Sequence, residues 1–278
     1  MLKYILVALL TYNLSGLPGN KYPWLHNEPA NETIASLIKV PAGYKRIEVE
    51  SNSFADWLRH LPLKPAGTPV KLWNGKLKPN QGVHVAVVNL DFIGGNIQQC
   101  IDAIIRLRSE YLWSVNRADE IKFSYTCCNE KIPWEKWKIG WRTKIVKKNG
   151  LDAFVWEKTA EYDDSRINFI SYLCAIMFYA GTQSLSTDMK KIGASDVQIG
   201  DAWVQGGAPG YGHGVLIVDM AVSPTGKKIM LLGQSYTPAE NFNILKSYGR
   251  LSPWFECDFG DELITPQWIF KKEHARRF

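Results

Sequence analysis

The sequence predicts an α+β fold, a single domain with an antiparallel sheet packed against helices. Three observations carry the expectation. Residues 96–113 and 166–180 repeat apolar side chains at helical spacing, β-rich segments follow these helices rather than alternating with them, and 215–221 and 228–233 flank Ser223-Pro224-Thr225-Gly226 as a hairpin. Helices followed by antiparallel strands point away from a parallel α/β arrangement. The length of 278 residues lies near the upper end for one domain, and 46% hydrophobic with 22% charged residues is ordinary for a globular chain.

From the N-terminus, Lys3, the apolar run 4–10 and the small residues Ser15 and Gly16 follow the order of a secretory signal, expected over 1–16. The run is too short to span a membrane, so no stable membrane insertion is expected after signal removal, and a periplasmic or secreted location follows. Pro18, Gly19, Pro23 and Pro29 mark 17–37 as a linker or extended arm, leaving 38–278 as the folded domain. Within it, 44–49 suggests a strand. Ser53 can cap a short helix carrying Phe54, Trp57 and Leu58, closed by Pro62.

Residues 83–92 read as a strand, and helix 96–113 follows with Asn96 as cap and Ile97, Ile101, Ile104, Ile105 and Leu112 on one face. Arg106 and Glu110, four apart on it, read as a surface ion pair. A strand is expected over 121–126. Trp134, Trp137 and Trp141 then recur at helical spacing, as a structural aromatic cluster or a platform for stacking sugars. Asp163, Asp164 and Ser165 introduce helix 166–180, which Gly181 ends. A short helix over 186–191 and a strand over 202–205 complete the run.

The net charge of +6 is spread along the chain, with no zinc-ligand spacing, phosphate-cradling glycine loop or aromatic RNA signature, so no nucleic-acid partner, metal or cofactor is expected. The five cysteines form no CxxC pair. Cys100 and Cys174 fall on apolar helix faces as buried thiols, whereas Cys127 and Cys128 are expected to be exposed, and either can bridge to Cys257.

The segment 200–219 is the most informative. Its glycines allow close approach of backbone to a ligand or sharp turns between strands. His213 sits where this loop enters an apolar strand, so its ring is expected to be held rigidly with one edge reachable from the loop. Strand parity puts His213, Val215, Ile217 and Asp219 on one face. A hairpin turning at Pro224-Thr225 sets His213 opposite Tyr236 with Gln234 diagonal to it. An imidazole held by an amide or phenol has a defined tautomer, as a general base requires. The alternative is a core histidine satisfied by hydrogen bonds. Asp219 is expected to cap the hairpin or pair with a basic group, and Asp201 to accept local N–H bonds in a turn. Asp201, Gln205, Tyr211, Ser235 and Tyr236 are the candidate ligand contacts.

Nearly the whole chain after about Ile38 resembles the bacterial family of unknown function numbered 4846. The likeness is carried by FADWLRHLPLKP (54–65), QQCIDAIIRLRSEYLW (98–113), YAGTQSL (179–185), GDAWVQGGAPG (200–210), GQSYTPAE (233–240) and TPQWIF (265–270). This resemblance implies an extracytoplasmic bacterial setting. About a quarter of the chain also resembles the papain-like cell-wall amidopeptidases of the NlpC/P60 and CHAP type, in the order helix from Arg166, Gly200-Asp201, Gly212-His213 and Gln234. There a cysteine opens the helix, where the positive end lowers its pKa. On this alignment that place is Asn168 to Ile170, which holds no cysteine, and Cys174 lies about a turn deeper among apolar residues.

Three functional readings follow. The first is a cell-envelope binding module, or a hydrolase that has lost its thiol, centred on His213, Gln234 and Tyr236. The second is an active amidase or peptidase using Cys174 or a serine, with His213 as base and cell-wall peptides as substrates. The third is a glycan-handling protein with stacked tryptophans and Asp201 and Asp219 as acid and base.

Overall fold

The computed structural model describes residues 21–25, 32–207 and 210–278, so the expected signal and part of the expected arm lie outside the described residues. The described start of the arm is packed rather than extended. Tyr22 and Trp24 lie 5.1 and 5.7 Å from Trp57, ring to ring, and the Trp24 indole donates to the Asn89 carbonyl at 2.6 Å. Prolines restrict the backbone here, but two large aromatics beside a third bury area that outweighs the cost of ordering the segment. Helix α1 (Ile34–Leu37), capped by Thr33, likewise precedes the expected boundary at 38.

Strand β1 (Lys45–Arg46) is shorter than expected, and Ser53 caps α2 (Phe54–Arg59) through its hydroxyl, which accepts from the Asp56 N–H at 3.2 Å. After β2 (His84–Val87), helix α3 (Cys100–Ser114) has its cap at Gln99, three residues later than the expected Asn96. A 3-10 turn occupies Gly95–Ile97. Asn96 caps the distant Ala239 N–H instead, and Asp102 accepts from the Gln99 N–H at 3.0 Å. Strands β3 (Lys122–Tyr125) and β4 (Cys128–Pro133) pair, then α4 (Trp134–Lys138) leads into the hairpin β5 (Trp141–Lys148) and β6 (Leu151–Lys158). That hairpin turns on Asn149-Gly150, both at positive φ, the pair favoured where the turn must match strand twist.

Helix α5 (Arg166–Tyr179) is capped by Ser165 as expected. The next helix, α6 (Thr182–Asp188), starts and stops earlier than 186–191, giving way to β7 (Lys190–Lys191). Strands β8 (Ala202–Gln205), β9 (His213–Val222), β10 (Lys228–Gln234), β11 (Asn243–Leu245) and β12 (Phe255–Glu256) follow. A small hairpin of β13 (Glu262–Ile264) and β14 (Ile269–Lys271) precedes β15 (Ala275–Arg277). The main sheet runs β2-β11-β10-β9-β8-β15-β7, with β1 added to β9 and β12 to β10, and all these pairs are antiparallel. The α+β expectation stands. Helices α2 and α3 pack on the central strand β9, whereas α5 packs on α3, α4 and β3.

The ion pair expected at the surface is inside. Arg106 and Glu110 are both fully buried; the Arg106 guanidinium binds the Asp91 carboxylate and the Gln98 side-chain oxygen, and Glu110 receives two bonds from Arg166 at 2.7 and 2.5 Å. Helical spacing places this pair on one line but does not say that α5 covers it. Asp219 pairs with a basic group as expected, in fact with two, Arg46 and Arg59, each at 2.7 Å. Trp134 and Trp137 are buried against Phe169 and Tyr172, as structural tryptophans. Cys127 and Cys128 are bonded to each other, and Cys257 is a free, half-buried thiol, so the bridge to Cys257 is not formed.

Candidate functional site

The site is built on the β9/β10 hairpin. Pairing begins at Lys228↔Val222 and shifts by one between Leu231 and Leu232, a bulge that leaves Val218 without a partner in the register. Alternation is therefore not continuous from His213 to Asp219. Beyond the bulge the register is the expected one, and it closes with the His213 and Tyr236 rings 4.8 Å apart and His213 Nε2 bonded to Gln234 Oε1 at 2.9 Å.

The imidazole does not face solvent as expected; His213 is only 2% exposed. Its walls are Tyr236, Trp268 at 5.3 Å and Phe270, whose ring stacks on it at 5.8 Å. The last two come from the β13–β14 hairpin, whose alternation runs over too few residues to locate from sequence. Burial drives the His213 pKa down to about 4, the Lys78 charge adds to the fall, and the Gln234 bond opposes it. The glycine before His213 serves packing. A Cβ on Gly212 would stand 2.3 Å from the Gln205 carbonyl oxygen, so only glycine lets β9 begin beside β8.

Behind Gln234 lies a chain of polar groups that sequence reasoning missed. Gln234 Nε2 donates to Gln267 Oε1 at 2.8 Å, and the same oxygen accepts from Lys78 Nζ at 2.6 Å. Lys78 also donates to Glu240 at 2.6 Å, and Glu240 accepts from Asn243 at 3.1 Å. Burial lowers the Lys78 pKa and raises that of Glu240, each offset by the partner's charge. These residues are far apart in sequence and share no motif spacing.

A second missed residue is Cys100. It opens α3, and α3 is the helix that lies against β9: a Cβ on Gly214 would stand 3.0 Å from Ile101 Cγ2, so the glycine admits the helix. Ser235 donates to the Gln98 carbonyl at 3.2 Å and Thr237 to the Gln99 side chain at 2.9 Å, tying the helix mouth to the strand end that carries Gln234 and Tyr236. The Cys100 sulfur lies near the backbone N–H groups of Ile101 and Gly214, which favour the thiolate. The thiol is 6% exposed. Burial and the neighbouring Asp102 push its pKa up to about 12 against those N–H groups. The available signal was a cysteine directly after Gln98-Gln99, before an apolar helix; placing the cap at Asn96 hid it inside a turn.

The remaining candidates are dispersed. Cys174 lies mid-helix on α5, near Gly94 and Arg106, with its pKa raised by burial; it is not among the side chains around His213. Gln205 accepts from the Trp268 indole at 3.0 Å and, with Ile264, Thr265, Gln267 and Trp268, lines an open pocket of about 570 Å³ beside the buried ring. Tyr211 is 91% exposed. Ser235 is fully buried and bonded to backbone at Gln98 and Glu240. Asp201 accepts from Gln198 N–H as expected of a turn residue, and also binds Arg277 at 2.8 and 2.7 Å. Among the described residues no group of three or more His, Cys, Asp or Glu side chains is placed to hold a metal ion, and no helix is long and apolar enough to cross a membrane.

The family model for domain of unknown function 4846 matches residues 34–277, and the chain belongs to that family. No curated protein and no solved structure matches it.

Proposed function

We propose that this family member is a thiol hydrolase that cleaves an amide or ester carbonyl, with Cys100 as nucleophile, His213 as general base and Gln234 as the group orienting the imidazole. One observation carries the reading: Cys100 opens α3, the helix packed on β9, and Ser235 and Thr237 tie the start of that helix to the strand end bearing Gln234, the buried amide that holds His213 Nε2. This shifts the thiol position of the papain-like resemblance from α5 to α3, since α3 is the helix against the histidine strand. Cell-wall peptides are the substrate class that the resemblance implies, and a periplasmic or secreted location belongs to the same reading.

Cys100 and His213 both rest neutral while enclosed, and proton transfer between them requires the opening that hydrates them. Burial favours both the uncharged thiol and the uncharged imidazole. The thiol proton passes to His213 Nδ1 as sulfur bonds to the carbonyl carbon. The same proton goes to the leaving amine or alcohol as its bond breaks, leaving a thioester. Water, deprotonated by His213, then attacks the thioester, releasing the acid and restoring the thiol. Tyr236, half-buried and with its ring 4.8 Å from that of His213, must move aside to admit a substrate.

A second reading, a binding module without turnover, is favoured by the closure of the site over both groups. Incubation with p-nitrophenyl acetate separates the two. The hydrolase reading expects nitrophenol release above background, an acetyl group mapped to Cys100 by mass spectrometry, loss of both in Cys100→Ala and His213→Ala, and retention in Cys174→Ala. Wild-type protein that releases no nitrophenol and carries no acetyl group on Cys100 removes the hydrolase and leaves the binding module.

A further inference from the structure

We infer that Gln267 and Lys78 are positioning residues that dictate which ring nitrogen of His213 carries hydrogen, and so which one is free to act as base. The inference deepens the hydrolase reading, but its physical content stands apart from turnover. Lys78 is the starting point, because an ammonium only donates hydrogen bonds. Its Nζ lies 2.6 Å from Gln267, so the amide atom facing it is the accepting oxygen. That same oxygen takes the Gln234 bond at 2.8 Å, so Gln234 presents its NH₂ to Gln267 and its oxygen to the ring. His213 Nε2, 2.9 Å from that oxygen, must then carry the hydrogen, and in the neutral ring the lone pair is left on Nδ1.

Each link removes one alternative. An amide rotated by half a turn looks almost the same in shape but exchanges donor for acceptor. The hydrogen bonds of the Gln234 side chain run to His213 and Gln267 alone among those of the described residues, so the ring's tautomer is only as definite as Gln267. Glu240 keeps Lys78 in place. Were its proton to pass to Glu240, the amine would still have hydrogens with which to donate to Gln267, so the direction of the relay does not depend on the charge state of that pair.

The test is long-range ¹H–¹⁵N correlation on the protein labelled at histidine nitrogens, at a pH above 7, where His213 is neutral. Wild type is expected to show a single Nε2–H tautomer at His213. Gln267→Glu, which presents only acceptors to Lys78 and Gln234, is expected to keep it. Gln267→Met, and the double variant Lys78→Met with Glu240→Gln, which removes both partners of the buried pair together, are expected to move the tautomer ratio toward equality by roughly two- to tenfold, the factor one neutral hydrogen bond carries. Gln267 is half-buried at the pocket wall, so its variants are expected to fold, with circular dichroism as the check. An Nδ1–H tautomer in wild type, or an unchanged ratio in a folded Gln267→Met, overturns the inference. A tautomer response without p-nitrophenyl acetate turnover leaves the relay standing and removes only the hydrolase. Where turnover is present, Gln267→Met is expected to lower kcat more than it raises KM, and Gln267→Glu to restore it.

Discussion

Two buried polar clusters in this protein look alike by composition and differ in where they end. Around Glu110 and Asp219, carboxylates sit between guanidinium groups: Glu110 lies between Arg106 and Arg166, and Asp219 between Arg46 and Arg59. Around His213, the chain from Glu240 through Lys78, Gln267 and Gln234 ends on a ring whose second nitrogen lies beyond the relay. The first kind is closed on itself and ties elements together. The second has a direction, set by a donor at one end and a titratable group at the other. Burial alone therefore does not separate a structural group from a chemical one; the terminus of the network does.

Measurements that would break or sharpen this contrast can be ranked by size. The largest effect is expected from Glu110→Ala, which takes the carboxylate from Arg166 and leaves Arg106 with Asp91; urea unfolding is expected to show a loss of about 3–4 kcal/mol, the lower part of the range for removing one partner of a buried pair. A loss below about 1 kcal/mol would show that the cluster is not what joins α3 to α5.

The next is a pH effect at His213. Its pKa is about 4 in the fold and near 6.5 in the unfolded chain, so the unfolded state binds the proton more readily. The stability due to the neutral ring is complete above pH 6.5 and lost as pH falls toward 4. Relative to His213→Gln, wild type is expected to lose about 3 kcal/mol across that window by chemical denaturation at each pH. A flat difference would mean that the ring is not enclosed.

Gly212→Ala is expected to cost about 1–3 kcal/mol in thermal or urea unfolding, because the added carbon meets a backbone oxygen rather than a side-chain tip. Cys100→Ala is expected to cost only about 1 kcal/mol, since a single sulfur is removed, while abolishing acetylation by p-nitrophenyl acetate; a structural thiol would show the first effect without the second. Tyr211→Ala, at an exposed position, is expected to stay within about 0.5 kcal/mol of wild type.

Local signals were legible wherever neighbours in sequence are neighbours in space. The caps at Ser53 and Ser165, strand β8 and the β9/β10 hairpin follow from nearby residues, and the hairpin's register even brought Gln234 and Tyr236 to His213. Asn149-Gly150 carried the same kind of information for the β5/β6 hairpin and went unused. Boundaries failed where a distant partner competed. Asn96 is a good cap in isolation, but in the fold it serves Ala239, and α3 starts at Cys100 instead.

By itself, then, the chain's order of residues determined the α+β class, the hairpin that carries the histidine and the amide bound to it, because periodicity and turn chemistry act over a few residues. Only tertiary structure decided that the ring is enclosed by Trp268 and Phe270, that α3 rather than α5 packs on its strand, and that Lys78 reaches Gln267 and Glu240, residues more than 150 positions away. Those outcomes depend on which surfaces meet after the chain has folded back, and apolar burial, which drives that meeting, carries no local pattern that names the partner.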